Sequence, residues 1–274
     1  MIRVTALFTY PVKSLRGGAV PSAGIDELGL VGDRRFLVVD ETGAFITQRT
    51  TPRMSLVDTQ LTNVALTLSA QGAGSISVTT APDPAAPLRT VQIWKSGGLQ
   101  AEDCGPEIAA WLSAFLGQPC SLVRVGPRFA RLVLKPAAYP GDLLACTDGA
   151  PLLVISEASL AVLNERIVAG GGQPVPMHRF RPNIVVDGCT AFAEDDWQRI
   201  QINSAVLRGA GQSDRCSVTT IDPLTAGHAK EPLRTLATFR RNPRAASEVL
   251  FGANFINETK RGSVHVGDEV VLAT

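Results

Sequence analysis

Hydrophobic and polar residues alternate with a period of two along much of the chain, a pattern typical of β-strands with one buried face. The alternation starts at the N-terminus, where every second position is apolar: Ile2, Val4, Ala6, Phe8 and Tyr10. This pattern predicts a strand over residues 2–10. Further strands are predicted over residues 122–125, 183–187 and 198–208.

Turn residues between β-rich runs predict three hairpins. One joins residues 35–40 to 44–48 through the turn Glu41-Thr42-Gly43. Another joins residues 64–68 to 76–78 across glycines at 72–74. The tail, residues 263–272, predicts a closing hairpin around Gly267 and Asp268.

Three segments have helical signals. Pro106 suits a first helical turn, apolar residues follow at helical spacing, and Gly117 fits the position after the last turn. A second helix is predicted from Ser156, as N-cap, to the glycines at 170–172. Pro232 opens a third, short helix.

Many short strands with few helices predict an α+β, mainly β protein built on β-barrel-like sheets. The helix that ends at Gly117 is a plausible divider, so two domains are expected over residues 1–120 and 121–274. The alternation of strands and helices that a doubly wound sheet needs is missing, and so is GxGxxG, which makes a dinucleotide-binding domain an unlikely interpretation.

Composition narrows the possible functions. The 274 residues carry a formal net charge of +1 and only 5% aromatic residues, so the chain is not expected to bind nucleic acid or an anionic membrane in bulk. No apolar run approaches the roughly 18 residues of a spanning helix. The N-terminus lacks the features of a signal peptide, and a cytoplasmic location is expected.

The cysteines and histidines do not form a known zinc pattern. Three histidines give no HExxH pair, and no CxxC occurs, so zinc is disfavoured. An odd number of cysteines in a chain of this size makes a disulfide framework an unlikely interpretation. The five are Cys104, Cys120, Cys146, Cys189 and Cys216.

Polar residues cluster at the ends of predicted strands. Arginine forks bind oxyanions in a bidentate manner, and a lysine and a hydroxyl beside glycines could hold a phosphate. When each residue is taken alone, a solvated strand end or a surface salt bridge is the better explanation. The cluster comprises Lys13, Ser14, Arg34, Arg49, Arg53, Thr147, Asp148, Arg179, Arg181, Asn183 and Arg215.

Cys216 lies in the polar stretch SDRCSVTTIDP. A free cysteine is most often a small buried hydrophobe. Arg215 would lower the thiol pKa and favour the thiolate that attacks or ligates, whereas Asp214 acts in the opposite direction. These residues leave a structural thiol, a nucleophile and a metal ligand as open alternatives.

Nine segments in fixed order resemble one family. They are YPVKSL, GLVGDRRFLVVDETGAFITQRTTPRMSLV, EDCGPEIAAWLSAFLG, VISEASLAVLN, RFRPNIVVDGC, AEDDW, DRCSVTTIDP, KEPLRTLATFRR and VHVGDEVVL. Together they resemble the MOSC-domain proteins with an N-terminal MOSC β-barrel domain, a group that includes the mitochondrial amidoxime reducing component and its bacterial counterparts. The resemblance assigns residues 1–120 to the N-terminal MOSC domain and residues 121–274 to the MOSC domain.

The resemblance implies a molybdenum-molybdopterin cofactor. In this interpretation Cys216 is the molybdenum ligand and the catalytic residue, and a soft thiolate suits that role. The resemblance further implies cofactor binding by Lys13, Ser14, Arg34, Arg181 and Asn183, with Thr147, Asp214 and Arg215 as peripheral contacts.

The implied reaction is the reductive removal of oxygen from N-hydroxylated substrates such as amidoximes, hydroxamic acids and N-hydroxylated bases. The chain lacks the Cx₄Cx₂C run of an iron–sulfur domain, so electrons are expected from a separate ferredoxin-like or cytochrome b5-like protein with a flavin reductase. No nucleic acid or membrane partner is expected.

Two other functions stay open at this point. The protein could carry molybdenum cofactor without turnover, or Cys216 could transfer sulfur as a persulfide, as related domains of cofactor sulfurases imply. The resemblance also associates the family as a whole with pyridoxal phosphate binding. No pyridoxal-phosphate domain accompanies the nine segments, which lowers the sulfur-transfer interpretation.

Overall fold

The computed structural model describes residues 1–273. Its helices are α1 (Pro106–Leu116), α2 (Glu157–Ala169) and α3 (Leu233–Phe239), and single turns of 3₁₀ helix lie at Pro52–Leu56, Met177–Phe180, Ala193–Asp196 and Ser217–Thr220. Its strands are β1 (Ile2–Thr9), β2 (Gly18–Val20), β3 (Ser22–Asp26), β4 (Gly29–Leu30), β5 (Phe36–Val39), β6 (Asp58–Leu61), β7 (Ala65–Ala70), β8 (Gly74–Thr79), β9 (Leu88–Ile93), β10 (Ser96–Asp103), β11 (Ser121–Arg124), β12 (Leu152–Ser156), β13 (Ile184–Asp187), β14 (Arg199–Ile202), β15 (Ala205–Arg215), β16 (Arg241–Asn242), β17 (Ala245–Asn257), β18 (Ser263–His265) and β19 (Glu269–Leu272).

Seven strands form a closed barrel. Their order is β12, β13, β1, β19, β14, β15 and β17, and β17 pairs with β12 to close the ring. Only β12 and β13 of these neighbours run parallel. Closure leaves the barrel without a free sheet edge. The predicted fold class, mainly β with barrel-like sheets and a few short helices, is confirmed.

The first strand forms because its side chains alternate, but a bulge changes the phase of the alternation. The register with β13 shifts between Val4 and Ala6. Val4 and Leu7 are therefore the residues buried in the barrel core, where they pack with Leu207 and Phe255. The alternation predicted that Ala6 and Phe8 lie on the same face of the strand as Val4, and this prediction is wrong. A bulge inserts an extra residue, so the side chains after Val4 point to the opposite faces.

The N-terminal half adds two smaller sheets. One has the order β5, β11, β10 and β9, and the other β6, β7 and β8. Helix α1 lies over their core, where Ile108 and Leu112 pack with Phe36 and Leu68. The predicted helix from Pro106 to Leu116 is confirmed, as is the hairpin formed by β7 and β8.

Much of the first thirty residues lies in the C-terminal barrel region, although Val12 and Leu15 pack in the N-terminal core. Strand β1 pairs with β13 and β19, and β3 pairs with β18. Ile25 and Leu30 join the same core as Leu152. The chain then crosses to the N-terminal sheets. The division into domains at residues 1–120 and 121–274 stays a prediction of the sequence. Thr274, the last residue of the predicted second domain, lies outside the described residues.

Three predicted elements differ in part from the observed ones. Residues 44–48 do not form a full strand, but the predicted hairpin is present in a short form: Phe45 bridges Val39 in the antiparallel sense, and the Ile46 N–H donates to the Val38 carbonyl at 2.9 Å. Residues 198–208 are two strands, β14 and β15, because Asn203 adopts the positive φ of 52° that a tight turn needs. The tail is no hairpin, since β18 pairs with β3 while β19 pairs with β1 and β14 to complete the barrel.

Among residues 1–273, none of the helices combines the length and the apolar character needed to cross a membrane.

We expect Gly117→Ala to lower the free energy of unfolding by about 1–2 kcal/mol, because an alanine is strained in the left-handed conformation that ends α1. Gly117 has φ 73° and open space around its missing side chain, so packing contributes nothing to the cost. Gly117→Asn is the matched control and should cost clearly less, because asparagine tolerates this conformation. Urea denaturation of the three proteins provides the measurement. Equal stability of the alanine variant and the wild type would contradict the role of Gly117 as the left-handed residue that ends α1.

Candidate active site

A cleft brings together eight of the nine residues that the sequence singled out as site residues. Its empty volume is ≈ 770 Å³, including the mouth. The eight residues are Lys13, Ser14, Arg34, Thr147, Arg181, Asn183, Arg215 and Cys216. They come from both halves of the chain, so the crossing of the N-terminal segment into the barrel region assembles the site.

Strained backbone positions aim three of these side chains. Ser14, Arg34 and Arg181 have φ values of 67°, 49° and 55°, in the left-handed region that non-glycine residues rarely adopt. Backbone strain of this kind persists only where the surrounding structure fixes it, and it clusters at functional sites. Ser14 is held by Gln48, whose side-chain amide donates to its carbonyl oxygen at 2.6 Å.

A buried lysine anchors the loop that ends at Ala150. Lys13 Nζ donates to the carbonyl of Cys146 at 2.9 Å and to Asp148 Oδ1 at 2.5 Å. Burial lowers the pKa of Lys13, although the charge of Asp148 opposes that shift. Burial raises the pKa of the Asp148 carboxyl, but Lys13 and a hydrogen bond from Trp94 outweigh it and hold that pKa well below its usual range. The Asp148 side chain is 60% exposed, so solvent screens this pair and its contribution to stability is small.

Two arginines of the cleft lining share one aromatic ring. The guanidinium carbons of Arg34 and Arg181 lie 4.3 Å and 4.1 Å from the centroid of the Tyr10 ring. Burial raises the pKa of Tyr10 to about 12, so this phenol is neutral at pH 7. Burial and the charge of Arg34 lower the pKa of Arg181 to about 10, which leaves Arg181 a cation at pH 7. The wall therefore keeps two positive charges close together.

Three buried polar atoms of the cleft lining have no hydrogen-bond partner among residues 1–273. They are Thr147 Oγ1, Arg181 Nη2 and Arg215 Nε. Burial also lowers the pKa of Arg215, a sign that its charge is poorly solvated. A buried polar group without a partner costs about 1–3 kcal/mol. A ligand with several acceptor oxygens, such as a phosphate, fits these donors.

The thiol of Cys216 faces an arginine from the other half of the chain. Arg49 Nη2 donates to Cys216 Sγ at 3.1 Å, and its guanidinium carbon lies 4.6 Å from the Trp94 ring centroid. The sequence placed Arg49 and Asp148 in the polar cluster but gave neither a role at the site. Strand-end position was the available signal, and it could not reveal a contact between residues 167 positions apart.

Two predicted contacts differ from the others. Asn183 lines the cleft, but its side-chain oxygen accepts from the Leu153 backbone at 3.2 Å, so it also ties β12 to the chain before β13.

The structure does not bring Asp214 to the cleft. Asp214 lies between Ser213 and Arg215 on β15, and successive side chains of a strand point to opposite faces. Ser213 and Arg215 line the cleft, and Asp214 is exposed.

Cys216 would supply one ligand to a metal. Among residues 1–273, no three or more His, Cys, Asp or Glu side chains form a group that could hold a metal ion. A metal at Cys216 would take its remaining ligands from a cofactor or from substrate, and the oxyanion donors nearby suit the charged part of such a cofactor.

Two family profiles cover most of the chain. The MOSC N-terminal beta barrel domain matches residues 1–119, and the MOSC domain matches residues 142–271. These matches define the class of protein as one built from two MOSC-type domains.

Curated relatives identify the family more closely. Mitochondrial amidoxime-reducing component 1 of Mus musculus is 35% identical over 284 residues, which cover 98% of this chain and 82% of the relative. Mitochondrial amidoxime reducing component 2 of Rattus norvegicus is also 35% identical and has the same 82% covered. Molybdenum cofactor sulfurase of Danio rerio is 32% identical, with 98% of this chain but only 34% of the relative covered. The chain belongs to the MOSC-domain proteins that carry an N-terminal MOSC β-barrel domain, the family of the mitochondrial amidoxime-reducing components.

In cofactor-free protein at pH 8, we expect iodoacetamide to alkylate Cys216 about tenfold faster than any other cysteine. Burial raises the pKa of Cys104 and of Cys146 to about 12, and it also raises the pKa of Cys120 and of Cys189. Cys216 is half-buried, and Arg49 donates to its sulfur. Peptide mass spectrometry over time measures the five rates, and faster labelling of Cys189 would contradict this description of the site.

Proposed function

We propose that this protein is a molybdenum-cofactor-dependent reductase that removes oxygen from N-hydroxylated compounds. One observation carries the proposal: a half-buried thiol lines a cleft in which three buried donor atoms have no protein partner among residues 1–273. The relatives named as amidoxime-reducing components support the reaction.

The cleft fits the charged cofactor that this function needs. Thr147 Oγ1, Arg181 Nη2 and Arg215 Nε are buried donors without protein partners, and a phosphate has oxygens to accept from all three. Lys13, Ser14 and Arg34 would hold the cofactor from the N-terminal half, and Arg181 and Asn183 from the other side. Cys216 would ligate the metal, because a thiolate is a common soft metal ligand. The choice of molybdenum rests on the relatives, which include a molybdenum cofactor sulfurase.

The bound cofactor would supply a metal centre able to take an oxygen atom from nitrogen with two electrons. The residues of this chain then have three tasks. The arginines hold the anionic cofactor in one orientation, and their buried position strengthens each contact. Arg49 donates a hydrogen bond to the sulfur of Cys216, which orients that side chain, and Arg49 is itself held by the Trp94 ring. Lys13 fixes the Thr147–Asp148 loop that forms one wall for the substrate.

The electrons would come from a separate ferredoxin-like or cytochrome b5-like protein with a flavin reductase. The relatives are named for a reducing reaction, and any reduction requires a source of electrons. A cytoplasmic location stays a prediction of the sequence.

We expect Cys216→Ala to abolish the reduction of benzamidoxime by cofactor-loaded protein with a chemical reductant, a loss of at least about a hundredfold in kcat/KM. Folding should survive, because Cys216 is only half-buried and its side chain has one hydrogen bond. The measurement is amidine formation under anaerobic conditions, together with the thermal unfolding midpoint.

Cys189→Ala is the matched control, because Cys189 is also a half-buried free thiol but does not line the cleft. It should keep wild-type turnover. Full turnover by Cys216→Ala would remove the ligand assignment. Loaded wild-type protein that holds molybdenum but never reduces benzamidoxime would instead favour a carrier, and a persulfide recovered on Cys216 would favour the sulfur transfer expected of sulfurase-like proteins.

We expect Thr147→Val to weaken cofactor retention about tenfold, equivalent to about 1.4 kcal/mol, because the Thr147 hydroxyl is free to contact the ligand. The variant loses no hydrogen bond of its side chain within the described residues, so its stability should be equal to or above that of the wild type. Pterin fluorescence after dialysis and thermal unfolding measure the two properties.

Thr5→Val is the matched control for this change. Thr5 Oγ1 is another buried hydroxyl without a partner among residues 1–273, but Thr5 does not line the cleft. Retention should be unchanged in Thr5→Val. If both valine variants lose pterin equally, Thr147 has no specific contact with the cofactor.

A further inference from the structure

A second cavity adjoins the cofactor cleft. Arg181 and Val218 line both, and the empty volume of the second cavity is also ≈ 770 Å³ including its mouth. Neither the predicted cofactor contacts other than Arg181 nor Cys216 line it. The function proposed for the cleft therefore leaves this cavity without a role.

Two buried hydroxyls in the wall of this cavity have no protein partner. Tyr10 is 2% exposed and Ser55 is 1% exposed, and both line the cavity. Within residues 1–273, neither Tyr10 Oη nor Ser55 Oγ makes a hydrogen bond. Buried hydroxyls are normally paired, and each of these can donate one hydrogen bond. The wall is therefore prepared for a group that accepts hydrogen bonds.

The charge of the wall favours an acceptor that is an anion. Arg16, Arg179 and Arg181 line the cavity, whereas the lining residues described include no Asp or Glu. Arg16 already donates to Asp58 at 2.8 Å, and Arg179 lies 3.9 Å from Asp222. Arg181 Nη1 donates only to the backbone of Leu15, and its Nη2 has no partner among residues 1–273.

Most of the other side chains in the wall are apolar. They are Phe8, Ala19, Val218, Ile221, Pro223 and Leu224, and the polar side chains of Gln48 and His178 lie among them. An inorganic anion would leave these side chains against water, whereas an organic anion would cover them and gain from the burial of apolar surface.

We propose that this cavity binds a small organic carboxylate with an apolar body. Its carboxylate oxygens accept hydrogen bonds from Tyr10, Ser55 and the Arg181 guanidinium, and its body lies against Phe8 and Ile221. Binding here requires neither turnover nor the molybdenum chemistry proposed for the cleft. The shared side chain of Arg181 places the two ligands on either side of one guanidinium.

Isothermal titration calorimetry with benzoate tests the site on the full chain purified from a host that makes molybdenum cofactor. Saturable binding is expected, with benzamide at least about tenfold weaker because it carries no charge. Acetate should also bind about tenfold more weakly, because it lacks the ring.

Tyr10→Phe and Ser55→Ala should each weaken benzoate about tenfold. Both remove a hydroxyl that has no protein partner and keep the rest of the wall, so thermal unfolding should not reveal a loss of stability. Tyr139→Phe is the control for the first change, since Tyr139 is 60% exposed and does not line the cavity.

Absence of saturable benzoate binding, equal binding of benzamide, or wild-type affinity in both hydroxyl variants would each overturn the proposal. Equal affinity for acetate and benzoate would contradict the proposal that the apolar body of the ligand contributes to binding. Because the heat is recorded without turnover, a protein that fails to reduce benzamidoxime still gives a clear result for this cavity.

Discussion

The pairing of β1 with β13 and β19 controls both the closure of the barrel and the assembly of the cleft. These two contacts insert the N-terminal strand into a barrel whose other six strands come from residues beyond 150. After Thr9 the chain contacts the N-terminal core through Val12 and Leu15, pairs again with β1 through β2, and enters β5 at Phe36. The residues on this crossing include Lys13, Ser14 and Arg34, and they meet the loops before β12 and after β15. Barrel closure and site assembly are consequences of the same strand pairing.

The site concentrates positive charge where water is scarce. Arg34 and Arg181 lie against one tyrosine ring, and Arg215 is close enough to affect that ring's pKa. Arg34 has Asp33 at 2.6 Å as a partner, but Arg181 is held by a backbone carbonyl. Buried cations with few anionic partners destabilise a fold unless a ligand compensates them. The left-handed conformations of Ser14, Arg34 and Arg181 add to the same cost, which is the behaviour of a binding site rather than of a structural core.

Arg181 connects the two cavities of this region. Arg181 lines the cleft that contains Cys216, and it also lines the second cavity together with Tyr10 and Ser55. A guanidinium has five donors in a rigid plane, so one arginine can serve an anion on each side. Occupation of one cavity would therefore change the electrostatic environment of the other through a single side chain.

Most local elements could be predicted from the amino-acid sequence. Ser156 caps α2, Gly117 ends α1, and β7 and β8 form their hairpin, because caps, turns and alternation act over a few neighbouring residues. Lys13, Arg181 and Cys216 could be named in advance because their segments resemble a known family. The tertiary structure alone decided the bulge in β1, the partners of β18 and β19, the contact of Arg49 with Cys216, the turn of Asp214 away from the cleft and the second cavity. Each of these depends on which distant strand edges meet and on which face a residue falls, and a local pattern contains neither fact.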